Sequence, residues 1–254
     1  MRTSLHQEFY KLAHQKMTWL SPIILFVLML ITSYAMGYNE SKLLTITCYD
    51  APDWIILILV IVGSTTFSME FQNRAILTLL YKAPNKFEVY LSKYIVLLCY
   101  NVCLHLWAML ITCLLRLTPI NRPVAWSAIG QYHQPLWLNM FTTSAIDVLT
   151  TTFIISLILG LSCLINSNAI VISVSLLVVF MGQFVSAGLL NTNQLVTILR
   201  WNPFNMTNLT RQYYNYTTYY ETSHLINSQL LMGTIGYTLA FVIIGYLIFR
   251  KKRF

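Results

Sequence analysis

Apolar residues fall into six long runs along the chain, and more polar segments of unequal length separate them. The runs cover about 18–36, 53–69, 94–115, 141–165, 169–190 and 230–249. A helix needs about 20 largely apolar residues to cross the hydrocarbon core of a bilayer. Asn101 and His105 interrupt the third run, and Asp147 with three nearby threonines gives the fourth run a polar face. The pattern predicts an all-α polytopic membrane protein with six transmembrane helices in a single transmembrane domain, residues 1–254.

The residues before and within the start of the first run, 4–17, have the spacing of an amphipathic helix. The apolar face of that helix consists of Leu5, Phe9, Leu12, Ala13 and Met17. The polar face consists of Gln7, Glu8, Lys11 and His14. A helix of this kind can lie in the plane of a membrane interface. The alternative is a simple extension of the first span, although Ser21-Pro22 favours a break near the start of that span.

The polar segment 70–93, between the second and third runs, has a pattern of its own. A leucine-rich stretch predicts a short helix that continues from the second span, and Pro84 ends it. Asn85 is then expected to cap a new helix, with Glu88 at the capping-box position. Residues 166–168 suffice to join the fourth and fifth spans, so a mere connector would not need this length. The segment is therefore expected to dock another protein.

The composition agrees with a membrane protein. Of the 254 residues 57% are hydrophobic and only 9% are charged, and the mean hydropathy is +0.62. Soluble domains carry about 25% charged residues, and disordered chains are more polar still. Five cysteines are too few, and odd in number, for a disulfide scaffold. Soluble, disordered and disulfide-rich classes are therefore excluded.

The net charge of +8 predicts an orientation. With six spans, both termini lie on one side of the membrane, together with eleven of the 16 basic residues. These eleven are Arg2, Lys11, Lys16, Arg74, Lys82, Lys86, Lys93, Arg250, Lys251, Lys252 and Arg253. Basic residues collect on the cytoplasmic side of membrane proteins, so both termini are predicted in the cytoplasm. The excess charge thus records topology, and we expect a lipid bilayer rather than a nucleic acid as the partner surface.

The order of residues in segment 70–93 is characteristic. A Glu ends the second span, a leucine-rich turn follows, then Pro, a small polar residue and a basic residue, and a Lys opens the third span. These positions are Glu70, Leu79, Leu80, Pro84, Asn85, Lys86 and Lys93. The order resembles the first cytoplasmic loop of ABC transporter permeases of the type-2 export class, although Arg74-Ala75 stands where that family has Gly-Thr. The layout also agrees over nearly the whole chain, with Trp-Asn-Pro-Phe at 201–204 in a long outer segment, 191–229.

The resemblance implies that segment 70–93 forms a coupling helix in a cleft of a separate ABC ATPase subunit. Two ATPase copies and a second permease, either the same chain or a related one, would complete the transporter. The expected coupling residues are Glu70, Arg74, Lys82, Pro84, Asn85, Lys86 and Lys93. The N-terminal helix would also touch the ATPase, and segment 191–229 would contain short re-entrant helices. ATP binding would then shift the population of span arrangements.

The chain lacks the motifs of an enzyme. A phosphate-binding loop requires G-x-x-x-x-G-K-[ST], and none of the nine glycines is followed by Lys. The five histidines are scattered, and Ser162 lacks the closing glycine of a nucleophile elbow. Cys99 and Cys103 have no partners at metal-ligand spacing and are expected to be small buried hydrophobic side chains. We therefore predict that the chain has no catalytic, cofactor-binding or metal site. ATP hydrolysis is expected on a partner chain.

Polar residues inside the predicted spans form a second candidate site. Asp147 lies in the fourth span and His105 in the third. Ionisable groups within a membrane mark substrate or proton pathways by default. The alternative is hydrogen bonding between helices, with Asn101, Gln183 or Thr150 as partners.

The expected function is that of a membrane-spanning permease subunit of an ATP-driven exporter in a bacterial plasma membrane. Few charges and many Ser and Thr residues in the spans favour a hydrophobic or amphipathic cargo, such as a peptide antibiotic, a lipid or a drug. Small permeases of this family often serve resistance or self-immunity. One alternative is a secondary transporter driven by an ion gradient, which predicts several intramembrane charges and inverted repeats. Another is an intramembrane enzyme, for which no catalytic set is found.

Overall fold

The chain is described by a computed structural model over residues 2–36, 40–73, 76, 85–118, 124–192 and 196–252. Six helices there are long and apolar enough to cross a membrane: α2 (Lys16–Met36), α4 (Ala51–Gln72), α5 (Lys86–Leu115), α6 (Leu136–Leu164), α7 (Asn168–Thr192) and α11 (Asn227–Lys251). The shorter helices are α1 (Arg2–His14), α3 (Ser41–Ile46), α8 (Val196–Leu199), α9 (Leu209–Tyr214) and α10 (Tyr216–Ser223). The prediction of an all-α polytopic membrane protein with six spans is confirmed.

Several spanning helices extend beyond the apolar runs that predict them. Helix α5 begins at Lys86 instead of about residue 94, and α11 begins at Asn227 instead of about 230. Backbone hydrogen bonds continue along a helix after its side chains become polar, so hydropathy marks only the part within the hydrocarbon. At the N-terminus, α1 ends at His14 and α2 starts two residues later at Lys16. The chain therefore has a separate N-terminal helix, not a single extension of the first span.

The break that Ser21-Pro22 favours is absent, because α2 runs through Pro22 without interruption. Proline has no N–H, so the carbonyl of Thr18, four residues earlier, loses its partner within the helix. The Tyr100 hydroxyl donates to that carbonyl over 3.3 Å. Trp107 Nε1 donates to the Pro22 carbonyl over 3.1 Å. Side chains of α5 thus hydrogen-bond to α2 around its proline, which keeps the helix intact in an apolar setting.

Helix α6 lies at the centre of the bundle and packs against α4, α5 and α11. A Cβ atom added at Gly245 of α11 would lie 3.3 Å from the Gly160 Cα of α6. Small residues at such a crossing allow two backbones to approach closely in a membrane. Helix α5 presents another face to the outside, where Cys99 and Cys103 are exposed. The expectation that these two cysteines are buried is wrong, because their side of α5 carries no neighbouring helix among the described residues.

Contacts between helix ends show which ends lie together at each end of the bundle. At one end, which we call the termini end, Ser68 donates to Asn168 over 2.7 Å. Lys252 Nζ donates there to the Cys163 carbonyl over 2.8 Å, and Lys86 Nζ donates to the Lys252 carbonyl over 3.2 Å. The end of α4, the start of α5, the α6–α7 turn and the end of α11 therefore meet. The opposite end, which we call the loop end, carries α3, residues 124–135 and α8 to α10.

Residues 196–226 at the loop end fold back against the bundle. Met206 and Leu209 are fully buried in an apolar cluster that includes Val60 and Phe153 of the spans. A methyl group at Gly182 of α7 would lie only 2.6 Å from Phe204 Cδ1. The absence of a side chain at that position lets the Phe204 ring lie against α7. Short helices of this segment thus enter the core of the bundle, in the place where re-entrant helices are expected.

Candidate functional site

Four charged side chains close a ring at the termini end, which we call the charge ring: Glu8, Lys11, Glu70 and Lys93. Lys11 Nζ lies 2.8 Å from Glu8 Oε1 and 2.8 Å from Glu70 Oε1. Lys93 Nζ lies 2.9 Å from Glu8 Oε2 and 2.7 Å from Glu70 Oε2. Each lysine bridges both glutamates. The ring therefore joins α1, the last turn of α4 and the second turn of α5.

The charge ring is largely removed from solvent. The exposed fraction of the side chain is 0% for Lys93, 6% for Glu8, 13% for Glu70 and 37% for Lys11. Lys93 Nζ also donates to the Thr66 carbonyl over 3.2 Å. Burying a charge costs several kcal/mol unless an opposite charge compensates it. Two lysines and two glutamates compensate each other here, so the ring is neutral as a whole.

The pKa values in α1 follow from this balance. Burial alone would raise the pKa of the Glu8 carboxyl, but Lys93 and Lys11 outweigh it and the pKa is lowered. Burial alone would lower the pKa of Lys11, but Glu70 and Glu8 outweigh it and the pKa is raised. Both groups are thus held in their charged forms across neutral pH.

The orientation of α1 differs from the expected one. Glu8 belongs to the predicted polar face, yet it is buried, while Phe9 of the predicted apolar face is 40% exposed. The face towards the bundle carries Leu12 together with Glu8 and the half-buried Lys11. Periodicity assigns polar residues to water, whereas here the partner lysine on α5 draws Glu8 inward. Only the fold could reveal this, because Glu8 and Lys93 are 85 residues apart.

The structure describes four of the seven expected coupling residues. Glu70 and Lys93 belong to the charge ring, and Lys86 donates to the carbonyls of Arg250 and Lys252 over 3.1 and 3.2 Å. Asn85 immediately precedes α5, but its side chain makes no capping hydrogen bond there. The remaining three, Arg74, Lys82 and Pro84, lie outside the described residues.

The intramembrane polar residues form a chain of hydrogen bonds between α5 and α6. His105 Nε2 lies 2.8 Å from Asp147 Oδ2, and His105 Nδ1 lies 2.9 Å from the Asn101 carbonyl. A carbonyl only accepts, so Nδ1 donates to it, and the Nε2–Oδ2 contact is a second hydrogen bond of the same imidazole. The Asn101 amide donates to Thr151 over 2.8 Å. Asn101, His105 and Asp147 thus meet, as one of the two sequence interpretations requires.

Gln183, the fourth residue of that candidate site, belongs to a different group. It accepts a hydrogen bond from Arg211, which also holds both carboxylate oxygens of Asp53 at 2.9 and 2.8 Å. Thr210, next to Arg211 in α9, donates to Asp147 Oδ1 over 2.8 Å. Segment 196–226 therefore contacts both polar groups. Asp53, Thr210 and Arg211 are missing from the sequence prediction, and a basic residue in an outer segment beside an aspartate at a span start could have indicated such a pair.

A cavity of about 270 Å³, which we call the loop-end cavity, lies between α4, α6, α7 and α9. Its polar lining includes Asp50, Asp53, Asp147, Thr150, Gln183, Thr207, Thr210, Arg211 and Tyr214. Its apolar lining includes Pro52, Ile56, Ile154, Val179, Phe180, Met181 and Phe184. The two groups of polar residues described above therefore face one common space.

Asp50 reaches this cavity from an unusual turn. Cys48, Tyr49 and Asp50 are three consecutive non-glycine residues in the left-handed region, with φ of 50°, 54° and 62°. This conformation is costly for residues with a Cβ, and buried Cys48 and Tyr49 hold the turn in place. Burial, with a smaller effect from Asp53, raises the pKa of Asp50 to about 6.

The chain was compared with known proteins. A family model described as "ABC-2 family transporter protein" matches residues 4–183, which include most of α1, four complete spanning helices and most of a fifth, α7. No significant match to an individually curated protein is found. The family works with an ABC ATPase and supplies the membrane-spanning part of the transporter. The chain therefore belongs to the ABC-2 family of transporter proteins, as a multi-pass membrane permease subunit and not as the ATPase.

Proposed function

We propose that this permease is an ATP-driven exporter and that segment 70–93 couples it to two copies of a separate ABC ATPase. The observation that carries the proposal is the charge ring. Glu70 lies at the start of the segment and Lys93 at its end, and they form an ion pair with 2.7 Å between Glu70 Oε2 and Lys93 Nζ. Movement of the segment by an ATPase would therefore be transmitted to α4 and α5 together.

Helix α1 is part of the same unit in this proposal. Glu8 and Lys11 tie α1 to both ends of the segment, so α1 and the two spans would move as one body. Ligand binding shifts a conformational equilibrium only through contacts that differ between the states. The buried charge ring joins α1 rigidly to α4 and α5. The contacts that differ between conformational states are therefore expected at the surface that meets the ATPase.

The termini end is proposed to face the cytoplasm of a bacterial cell, across its plasma membrane. Lys86, Lys93 and Lys252 all lie at this end, in accord with the excess of basic residues on the cytoplasmic side of membrane proteins. A second permease, a further copy or a related chain, would complete the translocation path. The proposed cargo is hydrophobic or amphipathic, with resistance or self-immunity as the physiological role.

One observation favours a second candidate function, a secondary transporter. The buried His105–Asp147 pair, with 2.8 Å between Nε2 and Oδ2, lies within the spans. A proton relay needs such a pair, but it also needs further ionisable groups across the membrane. Transport that follows a proton gradient without ATP would favour this alternative.

The test is co-purification of the chain with its cognate ABC ATPase, followed by ATP hydrolysis in proteoliposomes. Lys93→Met and Glu70→Gln should uncouple hydrolysis from the permease or prevent assembly. Lys42→Met is the matched control, because Lys42 is exposed at the opposite end of the bundle. Complex formation and permease-stimulated hydrolysis that are unchanged in both ring variants would contradict the proposal.

A further inference from the structure

The loop-end cavity contains more negative charge than its own residues compensate. Asp53 is paired with Arg211 through two contacts of 2.9 and 2.8 Å. Asp147 is paired with His105 and accepts a hydrogen bond from Thr210. The carboxylate of Asp50 lines the same cavity and makes no hydrogen bond or ion pair with any described residue.

The remainder of the cavity wall is apolar. Ile56, Ile154 and Val179 line it from three different spanning helices. Phe180 and Phe184 of α7 also line it, and they are 39% and 72% exposed on the outer face of the bundle. The cavity therefore borders the surface that α7 presents to the bilayer. An amphipathic molecule could enter there from the lipid without crossing an aqueous barrier.

We propose that the loop-end cavity binds an amphipathic organic ammonium ion, with Asp50 as the ion-pair partner of the ammonium group. The apolar body of the ligand would lie against Ile56, Ile154 and Phe184. This inference rests on the proposed transport function and narrows its cargo to molecules that join a cationic amine to an apolar body. Tyr214 lines the cavity and also a neighbouring space of about 430 Å³ at the loop end, so it stands between the site and the outside.

Other ligand classes fit the cavity less well. An anion would need a free base, but the Arg211 guanidinium already contacts Asp53 and Gln183. A metal ion would need several ligands at once, and the described residues contain no group of three His, Cys, Asp or Glu side chains able to hold one. A neutral apolar molecule would leave the Asp50 carboxylate uncompensated in a partly buried place, which is unfavourable.

The first experiment uses the unmodified protein. The full chain is purified into phosphatidylcholine nanodiscs, and binding of radiolabelled n-octylamine is measured by scintillation proximity, with empty nanodiscs as the background. Unlabelled n-octylamine should compete, whereas octan-1-ol and octanoate, which share the apolar chain, should compete at least tenfold more weakly. Equal competition by octanol or octanoate would overturn the proposal, because the site would then not recognise the positive charge.

The second experiment tests the assigned residue. Asp50→Asn keeps the shape of the side chain and removes its charge, so the affinity for n-octylamine should fall about tenfold, the usual effect of losing a charge-assisted contact. Glu221→Gln is the matched control, because Glu221 is exposed at the same end and does not line the cavity. Unchanged affinity in a folded Asp50→Asn protein, or an equal loss in the control, would overturn the assignment.

The two proposals fail separately. A protein that assembles with its ATPase and stimulates hydrolysis but discriminates no ammonium ion would disprove the cavity proposal alone. A protein that binds n-octylamine through Asp50 but does not respond to the ring variants would disprove the coupling proposal alone.

Discussion

The charge ring and the loop-end cavity use the same kinds of side chain in opposite ways. In the ring, two lysines and two glutamates compensate one another, and Lys93 is completely buried. In the cavity, Arg211 compensates Asp53, but Asp50 retains an uncompensated charge. The ring is complete without any other molecule, whereas the cavity lacks one positive charge.

This difference distinguishes a structural ion-pair network, the charge ring, from the proposed binding site, the loop-end cavity. A compensated buried network stabilises one arrangement of helices, and removing a member leaves a charge that nothing else can neutralise. An uncompensated carboxylate at a cavity wall contributes little to that arrangement and remains available to a ligand. Substitutions in the ring should therefore change stability and assembly, whereas substitutions at Asp50 should change binding.

The largest expected effect comes from Lys93→Met. The substitution leaves Glu8 and Glu70 buried with Lys11 as the remaining cation, and loss of one partner of a buried charge pair costs about 3–5 kcal/mol. The free energy of unfolding can be measured by SDS titration in mixed micelles. Lys42→Met should change that free energy by less than about 0.5 kcal/mol, as expected for an exposed residue. A ring variant as stable as the control would show that the charge ring does not stabilise the packing of the helices.

Acidification should affect the two regions differently. Asp50 has a pKa raised to about 6 and faces Asp53, Arg211, Asp147 and Tyr214, so its charge is lost as the pH falls from 7.5 to 5. The affinity for n-octylamine should then fall about fivefold, because only about a tenth of the carboxylate stays ionised at pH 5 and the neutral form is expected to bind about tenfold more weakly, as in Asp50→Asn. In Asp50→Asn the affinity should be nearly independent of pH over this range. A pH dependence that persists in that variant would show that a group other than Asp50 causes it.

The charge ring should remain intact over the same range. The lowered pKa of Glu8 gives a contribution to stability that is present above its ordinary pKa of 4.5 and is lost as the pH falls through the lowered value. The raised pKa of Lys11 gives a contribution present below its ordinary pKa of 10.5 and lost as the pH rises through the raised value. Unfolding free energies at pH 5 and 7.5 should therefore contain the same contribution from the ring, and comparison with Lys93→Met at both values checks this.

Lys11→Met should have a smaller effect than Lys93→Met. Lys11 makes the same two ion contacts, but its side chain is 37% exposed and solvent screens them. Loss of partly exposed ion pairs costs about 1 kcal/mol or less. SDS titration of the two variants side by side measures the difference. Equal losses would mean that burial does not distinguish the two lysines.

Asp50→Asn should have the smallest effect on stability. The carboxylate has no partner to lose among the described residues, and its repulsion by Asp53 disappears. The unfolding free energy should remain within about 0.5 kcal/mol of the parent value, although binding of n-octylamine weakens. A loss of several kcal/mol would identify Asp50 as a structural residue and remove the contrast with the ring.

Part of the candidate sites could be predicted from sequence. The order of residues in segment 70–93 indicates Glu70 and Lys93, and their position within apolar runs indicates Asp147 and His105. Periodicity predicts that Glu8 is exposed, and this prediction is wrong because periodicity carries no information about a lysine 85 residues away. Asp50 carried no signal either, since an aspartate before a span is an ordinary helix start.

The hydropathy pattern is sufficient to predict six membrane-spanning helices, and the order of residues in segment 70–93 is sufficient to indicate an ABC permease. Hydrocarbon excludes unpaired backbone groups and charges, so span number, helical class and charge asymmetry are encoded locally. Tertiary structure alone decided which charges meet. Ion pairs such as Glu8 with Lys93, and Asp53 with Arg211, join residues far apart in the chain, and only the packing of the helices places their side chains within contact distance.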